Sequence, residues 1–121
     1  MPYAYKKSER LRKNTQFRAT MKGKRLSYDG LSLFYTRNEK ENFRVGISVV
    51  KKQINAVQRN KVKRRLRDCI MRHLEKRTQG YDLVFVVRQP LQIAEYELLY
   101  NAVGKMLDKA FPKREAEGIP S

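Results

Sequence analysis

The side chains best suited to chemistry in this chain are the cations between positions 59 and 67. The segment reads Arg-Asn-Lys-Val-Lys-Arg-Arg-Leu-Arg, so six of its nine residues are positively charged. Arg offers forked contacts to phosphate, Lys a mobile point charge, and Asn60 hydrogen bonds to base edges or sugars. The pattern predicts a surface for folded RNA. The alternative is a solvated helix face, but such faces usually interleave Glu, and only Asp68 is near.

Catalysis by the protein itself is poorly supported. Cys69 and His73 are four residues apart, the spacing of a nucleophile and its base, but a buried helix face would keep that thiol inert. One Cys and one His exclude a disulfide framework and a Cys-based zinc site. The six glycines are too scattered for a phosphate loop, and no acids look like an acid–base pair. We therefore predict no catalytic residue and no metal ligand.

The overall charge favours a polyanionic partner. Twenty-eight Lys and Arg face twelve Asp and Glu, a net charge of +16. Nucleic acid is the first candidate, and an anionic membrane surface is the second. No apolar run approaches the length of a membrane span. We expect a soluble, cytoplasmic protein with no membrane partner.

Hydrophobic periodicity predicts six elements in the order α-β-β-α-β-α and a two-layer α/β sandwich. A helix joins the second and third strands, which favours parallel neighbours, and the first two strands are interpreted as a hairpin. Residues 1–111 form a single RNA-binding domain, and 112–121 are predicted to be a flexible tail. The predicted elements are helix 14–22, strand 31–35, strand 44–50, helix 56–77, strand 81–88 and helix 93–111.

The long basic helix places a predicted apolar stripe against the core and directs Asp68 away from it. The final helix is predicted to bury an apolar side that includes Leu98. The stripe of the basic helix consists of Val62, Leu66, Cys69, Ile70 and His73.

A second candidate surface is the polar side of the strands. Phe34, Gly46 and Ser48 share it, and the side of the first helix with Phe17 and Met21 borders it. Aromatic rings beside small polar groups can stack unpaired bases. Core packing beneath the first helix is the alternative.

Several linked motifs resemble the protein subunit of bacterial ribonuclease P. They are the basic run 59–67 with its lead-in 45–52 and Asn-Ala-Val at 55–57, the opening residues 11–14 with Phe17, strand 80–90, and Tyr-Glu-Leu-Leu at 96–99. The resemblance covers about residues 9–111. Two positions depart from it: Lys61 stands where the family usually has Arg, and Ile54 where it often has Gly.

This resemblance implies an unusual left-handed strand–helix–strand crossover, whereas the general expectation is right-handed. It implies that a catalytic RNA cleaves the 5′ leader from precursor tRNA with Mg²⁺, which is bound mainly by that RNA, and that the protein is a non-catalytic subunit. The surface for the catalytic RNA would comprise Lys51, Lys52, Asn55, Arg59, Asn60, Lys61, Lys63, Arg64 and Arg67. The cleft for the single-stranded leader would be lined or bordered by Phe17, Phe34, Ser48 and Arg88.

Two other classes of function stay open at this point. A ribosomal protein or RNA chaperone on a similar sandwich would not prefer precursor over mature tRNA. A DNA-binding regulator is less favoured, because the basic helix lacks a helix-turn-helix partner and no dimer pattern is visible. We therefore expect no DNA partner.

Overall fold

A computed structural model describes residues 14–28, 30–38, 42–50, 54–75, 80–88 and 95–111. All six predicted elements are found there in the predicted order, together with one additional strand. The elements are α1 (Asn14–Met21), β1 (Lys24–Tyr28), β2 (Leu31–Arg37), β3 (Arg44–Val49), α2 (Ala56–Leu74), β4 (Tyr81–Val87) and α3 (Tyr96–Ala110). The predicted tail, 112–121, lies outside the described residues.

The four strands form one mixed sheet in the order β1-β2-β4-β3. β1 pairs with β2 and β2 with β4 in antiparallel fashion, whereas β3 and β4 are parallel. The parallel pairing predicted for the strands that flank α2 is confirmed. The predicted hairpin is wrong, because β4 lies between β2 and β3 and both strands bond to it instead of to each other.

One face of the sheet, called here the inner face, supports the core. Its central row aligns Leu26, Leu33, Phe85 and Ile47 across the four strands. Leu33 and Phe85 are completely buried, and α2 and α3 cover them. Burial of this apolar surface is the main force that holds the helices to the sheet.

Helix α2 begins with a capping box. The Asn55 side chain accepts a hydrogen bond from Gln58 N at 2.8 Å, and Gln58 Oε1 accepts one from Asn55 N at 3.0 Å. Two N–H groups that a helix start would leave without partners are thereby satisfied. The predicted stripe is confirmed except at His73, which is half-buried, and it extends to two further residues. The buried side chains are Val62, Leu66, Cys69, Ile70, Met71 and Leu74.

Helix α3 packs beside α2 through a stripe that differs from the prediction at one position. Leu98 was assigned to the core but is 47% exposed. The helix begins at Tyr96, and its buried positions follow a 3–4 spacing that starts at Leu99, so Leu98 faces away. The buried residues are Leu99, Ala102, Val103, Met106 and Leu107.

Helix α1 lies against the opposite, outer face of the sheet. The Phe17 ring sits so close above Gly46 that a Cβ added there would lie 2.5 Å from Phe17 Cζ. Only glycine permits this approach. Helix α1 therefore positions an aromatic ring over the face that was predicted to be polar.

Candidate nucleic-acid interface

The basic ridge is the outward side of α2 and comprises Arg59, Asn60, Lys61, Lys63, Arg64 and Arg67. Asn60, Lys61 and Arg64 are exposed, whereas the remaining three are half-buried. Their neighbours Val62 and Leu66 anchor the opposite side of the helix in the core. Long cationic side chains commonly lay their stems along a helix while the charged ends reach water. The ridge is thus held by a rigid, packed element.

Helix α2 contains a single acid, Asp68, and this carboxylate is held away from the ridge. Its Oδ2 accepts hydrogen bonds from Tyr96 Oη at 2.7 Å and from Arg72 Nε at 3.0 Å. The Tyr96 hydroxyl, followed by Arg72, lowers the pKa of Asp68. Asp68 lies off the buried stripe of α2, as predicted, and it links α2 to the start of α3.

The three other residues assigned to the catalytic-RNA surface have different outcomes. Asn55 directly precedes α2, and its side-chain oxygen caps that helix, so its amide NH₂ is the group left to donate to RNA. Lys51 and Lys52 lie outside the described residues.

The four residues assigned to the leader cleft all belong to the outer side of the sheet. Phe34 shares a row with Val84 and Gly46, and the Phe17 ring covers the Gly46 end. Phe34 and Phe17 are both half-buried, so each combines packing with an accessible surface. We call the row of Phe34, Val84 and Gly46, together with the Phe17 ring above it, the aromatic row.

The aromatic row has a cationic end that the sequence analysis missed. The guanidinium carbon of Arg25 lies 5.8 Å from the centroid of the Phe34 ring, in register across β1 and β2. A cation at this distance is attracted to the ring face. Because β1 was not predicted, nothing in the sequence indicated that Arg25 would lie beside Phe34.

The neighbouring row carries hydroxyl groups. It aligns Ser27, Ser32, Val86 and Ser48 from β1 to β3. Ser48 is exposed, whereas Ser32 is completely buried and accepts a hydrogen bond from Arg88 Nε at 2.7 Å. We call the row of Ser27, Ser32, Val86 and Ser48 the serine row.

A third row, on the other side of the aromatic row, contains a buried ion pair. Asp82 is 6% exposed and accepts two bonds from Arg44, from Nε at 2.8 Å and from Nη2 at 2.7 Å. Asn38 Nδ2 donates a further bond of 2.7 Å to Asp82. An acid within an apolar strand was the one sequence signal for this pair. The charge of Arg44 is therefore neutralised locally.

The possible nucleophile and base on α2 are arranged for packing. Cys69 is completely buried, and burial raises the pKa of its thiol to about 12. The His73 ring stacks on Tyr100 at a centroid distance of 4.1 Å, and its Nε2 lies 2.9 Å from the Tyr100 carbonyl oxygen. The predicted burial of Cys69 is confirmed, and its inertness stays a prediction, since a thiol with a raised pKa carries little thiolate at neutral pH.

Within the described ranges, no three His, Cys, Asp or Glu side chains are grouped as a metal ion would require. In the same part of the chain, no helix is both long and apolar enough to cross a membrane. The geometry thus consists of a basic ridge on one layer and a mixed aromatic and polar face on another.

Comparison with known proteins points to one family. The ribonuclease P family model matches residues 5–111. The ribonuclease P protein component of Desulfotalea psychrophila is 36% identical over 105 residues, which cover 86% of this chain and 88% of that protein. The structure of the Staphylococcus aureus RNase P protein is similar with a TM-score of 0.77 and 32% identity, over 87% of this chain and 97% of that one. The Thermotoga maritima RNase P protein matches with a TM-score of 0.73 and 26% identity, over 84% and 96% of the two chains. The resemblance stated from the sequence is confirmed.

Proposed function

This chain belongs to the ribonuclease P protein family, and from that premise we propose that it is the protein subunit of a bacterial ribonuclease P. In this role it binds the catalytic RNA through the basic ridge and the 5′ leader of precursor tRNA through the outer face. It thereby assists the endonucleolytic maturation of tRNA 5′ ends. The observation that carries the proposal is the placement of these two sets of residues on different layers of one small domain.

The basic ridge supports the first contact. Its residues project from a helix whose opposite side is buried, so the spacing of the charges is set before any RNA arrives. Arg59 and Arg64 can each make forked contacts with phosphates of a folded RNA. At Lys61 the family's usual arginine fork is replaced by a point charge, so contact there is less directional.

The outer face supports the second contact. Phe17 and Phe34 offer partly exposed rings for unpaired bases, and Arg88 and Ser48 offer donors for the backbone. Mature tRNA has no leader to occupy this face. Binding there would therefore favour the precursor over the product and help the product to leave.

We assign catalysis to the RNA partner together with Mg²⁺. Asp82 is held by Arg44 and Asn38, and Asp68 by Arg72 and Tyr96, so these carboxylates do not fit a magnesium site. The protein instead contributes charge: at +16 it lowers the repulsion between two RNA molecules. These partners are made in the bacterial cytoplasm, where we expect the protein to act.

The test is cleavage of precursor tRNA by a bacterial ribonuclease P RNA at low Mg²⁺, with and without this protein. We expect cleavage only when both are present, and none by the protein freed of RNA. Tight RNA binding without rescue of cleavage would instead favour a ribosomal or chaperone-like role. Cleavage by the protein alone would contradict the assignment of catalysis to the RNA.

A further inference from the structure

The serine row contains a chain of hydrogen bonds that the proposed function does not use. Ser32, completely buried in β2, accepts a bond from Arg88 Nε at 2.7 Å. The Oγ atoms of Ser32 and Ser27 lie 3.2 Å apart. Either hydroxyl can donate in this pair, since the Ser32 oxygen that accepts from Arg88 keeps both its own proton and a second lone pair. The three side chains thus form one hydrogen-bonded chain across the sheet.

The backbone of Arg88 is fixed at the same place. Its N–H donates to the Gly30 carbonyl oxygen at 2.7 Å, just before β2 begins. Gly30 has a φ of 80°, a conformation that favours glycine. The backbone of Arg88 is therefore bonded to the residue before β2 and its side chain to the second residue of that strand, although Arg88 itself is exposed.

Arg44 and Arg88 flank opposite ends of the outer face and differ in how they are held. Arg44 is bound by the carboxylate of Asp82 through two bonds, which cancels its charge. The anchor of Arg88 is a neutral hydroxyl, which orients the guanidinium without neutralising it. The bond uses one of five N–H donors, and the other four belong to Nη1 and Nη2. An anion on the outer face is therefore attracted to the Arg88 end.

We propose that Ser32 is a positioning residue that orients the Arg88 guanidinium, so that its Nη groups receive a phosphodiester of single-stranded RNA. This inference rests on the proposed function and adds to it the residue that orients Arg88 toward the leader backbone. Anchoring the side chain in advance reduces the conformational entropy that binding must remove. Ser27 supports the same arrangement through its bond to Ser32.

The test uses the holoenzyme assembled from this protein and a bacterial ribonuclease P RNA. The measured quantity is the ratio of affinities for precursor tRNA with a single-stranded leader and for mature tRNA. The variants are Ser32→Ala, Arg88→Ala and their combination. Thr36→Val is the matched control, because it removes a half-buried hydroxyl from the same strand and the same face.

We expect Arg88→Ala to lower the affinity ratio by about tenfold, since it removes a charge-assisted contact. Ser32→Ala should lower the ratio by about fivefold, because the charge remains but loses its orientation. The double variant should match Arg88→Ala, since Ser32 acts only through Arg88. Thr36→Val should leave the ratio unchanged.

Thermal unfolding of each protein separates this role from a structural one. If Ser32→Ala does not fold, Ser27→Ala, at an exposed residue, replaces it as the test of the positioning role. We expect Ser27→Ala to lower the affinity ratio for precursor over mature tRNA by less than fivefold. An unchanged ratio in the deciding variant, or losses that multiply in the double variant, overturns the positioning role. A wild-type holoenzyme without preference for precursor tRNA would instead refute the leader-binding function itself.

Discussion

The contact between Phe17 and Gly46 predicts the outcome of Gly46→Ala. A Cβ at this position would lie 2.5, 2.9 and 3.0 Å from Phe17 Cζ, Cε2 and Cε1. Carbon atoms in favourable contact are about 3.5–4.0 Å apart. The new methyl group therefore requires the ring to move by about 1 Å, a displacement estimated from that contact distance.

The size of the effect follows from two opposing contributions. Overpacking of this kind costs about 1–3 kcal/mol. Replacement of glycine within a strand returns about 0.5–1 kcal/mol, because glycine loses the most backbone freedom on folding. Since Phe17 is half-buried on a short helix, the ring can give way in part. We expect Gly46→Ala to lower the free energy of unfolding by about 1 kcal/mol.

The sign should reverse when the ring is absent. All three atoms nearest the new Cβ are the outermost carbons of the Phe17 ring, and leucine lacks them. In a Phe17→Leu background, Gly46→Ala should therefore stabilise the protein by about 0.5 kcal/mol. Urea unfolding of the four proteins in this cycle measures both changes.

Gly46→Ala also tests the proposed leader surface. In the holoenzyme, Gly46→Ala should reduce the affinity ratio for precursor over mature tRNA, because the displaced ring no longer covers the aromatic row. The control is Gly104→Ala, whose Cβ would lie 2.7 Å from His73 Cε1 on the α2–α3 side. It should alter stability but leave the ratio unchanged. Equal destabilisation by Gly46→Ala with and without the Phe17 ring would refute the packing argument.

The other predictions concern single side chains. Arg64→Ala should weaken binding to the catalytic RNA and reduce the slope of log K against log salt by about 1, measured by titration at several salt concentrations; unchanged affinity would leave this part of the ridge as a solvated face. Phe34→Ala should weaken precursor binding by about 1–3 kcal/mol if the ring stacks a base, and a loss of folding without a specific binding defect would assign Phe34 to the core. Cys69 should resist alkylation at pH 8 in the native protein and react in urea, since burial raises its thiol pKa to about 12. The folded-state pKa of Asp68 is lowered, so its stabilising contribution is present above the unfolded-state pKa and is lost as pH falls through the folded-state pKa. Tyr96→Phe removes the largest cause of this lowered pKa and should therefore reduce the stability that is lost between pH 5 and pH 2.5. Urea unfolding at pH values that bracket the usual Asp range measures this loss.

The local sequence pattern predicted every helix and strand except β1, but it did not predict every pairing between strands correctly. The stripe of α2 and the apolar run of β4 are strong periodic signals, and both were confirmed. Strand β1, Lys24–Tyr28, was missed because only Leu26 and Tyr28 carry its apolar alternation and cations occupy its start. Such charges are common on edge strands, where they discourage pairing with other chains.

The hairpin error has a different physical origin. The polar segment after β2 resembles a hairpin loop, and local sequence does not indicate pairing with β4, which begins only at Tyr81. Pairing between β2 and β4 is decided by burial of the whole inner face. The same reason explains Asp82, whose partners Arg44 and Asn38 become neighbours only when that sheet forms.

The sequence indicated many of the candidate binding residues, but it did not indicate which of them are neighbours in the folded protein. The basic ridge is a continuous run in sequence, so its place on one helix followed directly from helical geometry. The hydrogen-bonded chain in the serine row, in contrast, joins Ser27 of β1 and Ser32 of β2 to Arg88, which directly follows β4, and it depends on the register of the complete sheet. Composition alone does not distinguish these two serines from the remaining hydroxyl residues.

The layers of this fold separate the residues that stabilise it from most of those proposed to bind RNA. Core residues such as Leu33 and Phe85 are completely buried between the sheet and two helices, whereas Arg64 and Arg88 are exposed. Substitutions of these arginines should therefore change binding with little effect on folding. Phe17 is one exception, because its ring both packs on Gly46 and belongs to the proposed leader surface. Stability and leader preference should change together at this contact, which makes it the most informative place to perturb the outer face.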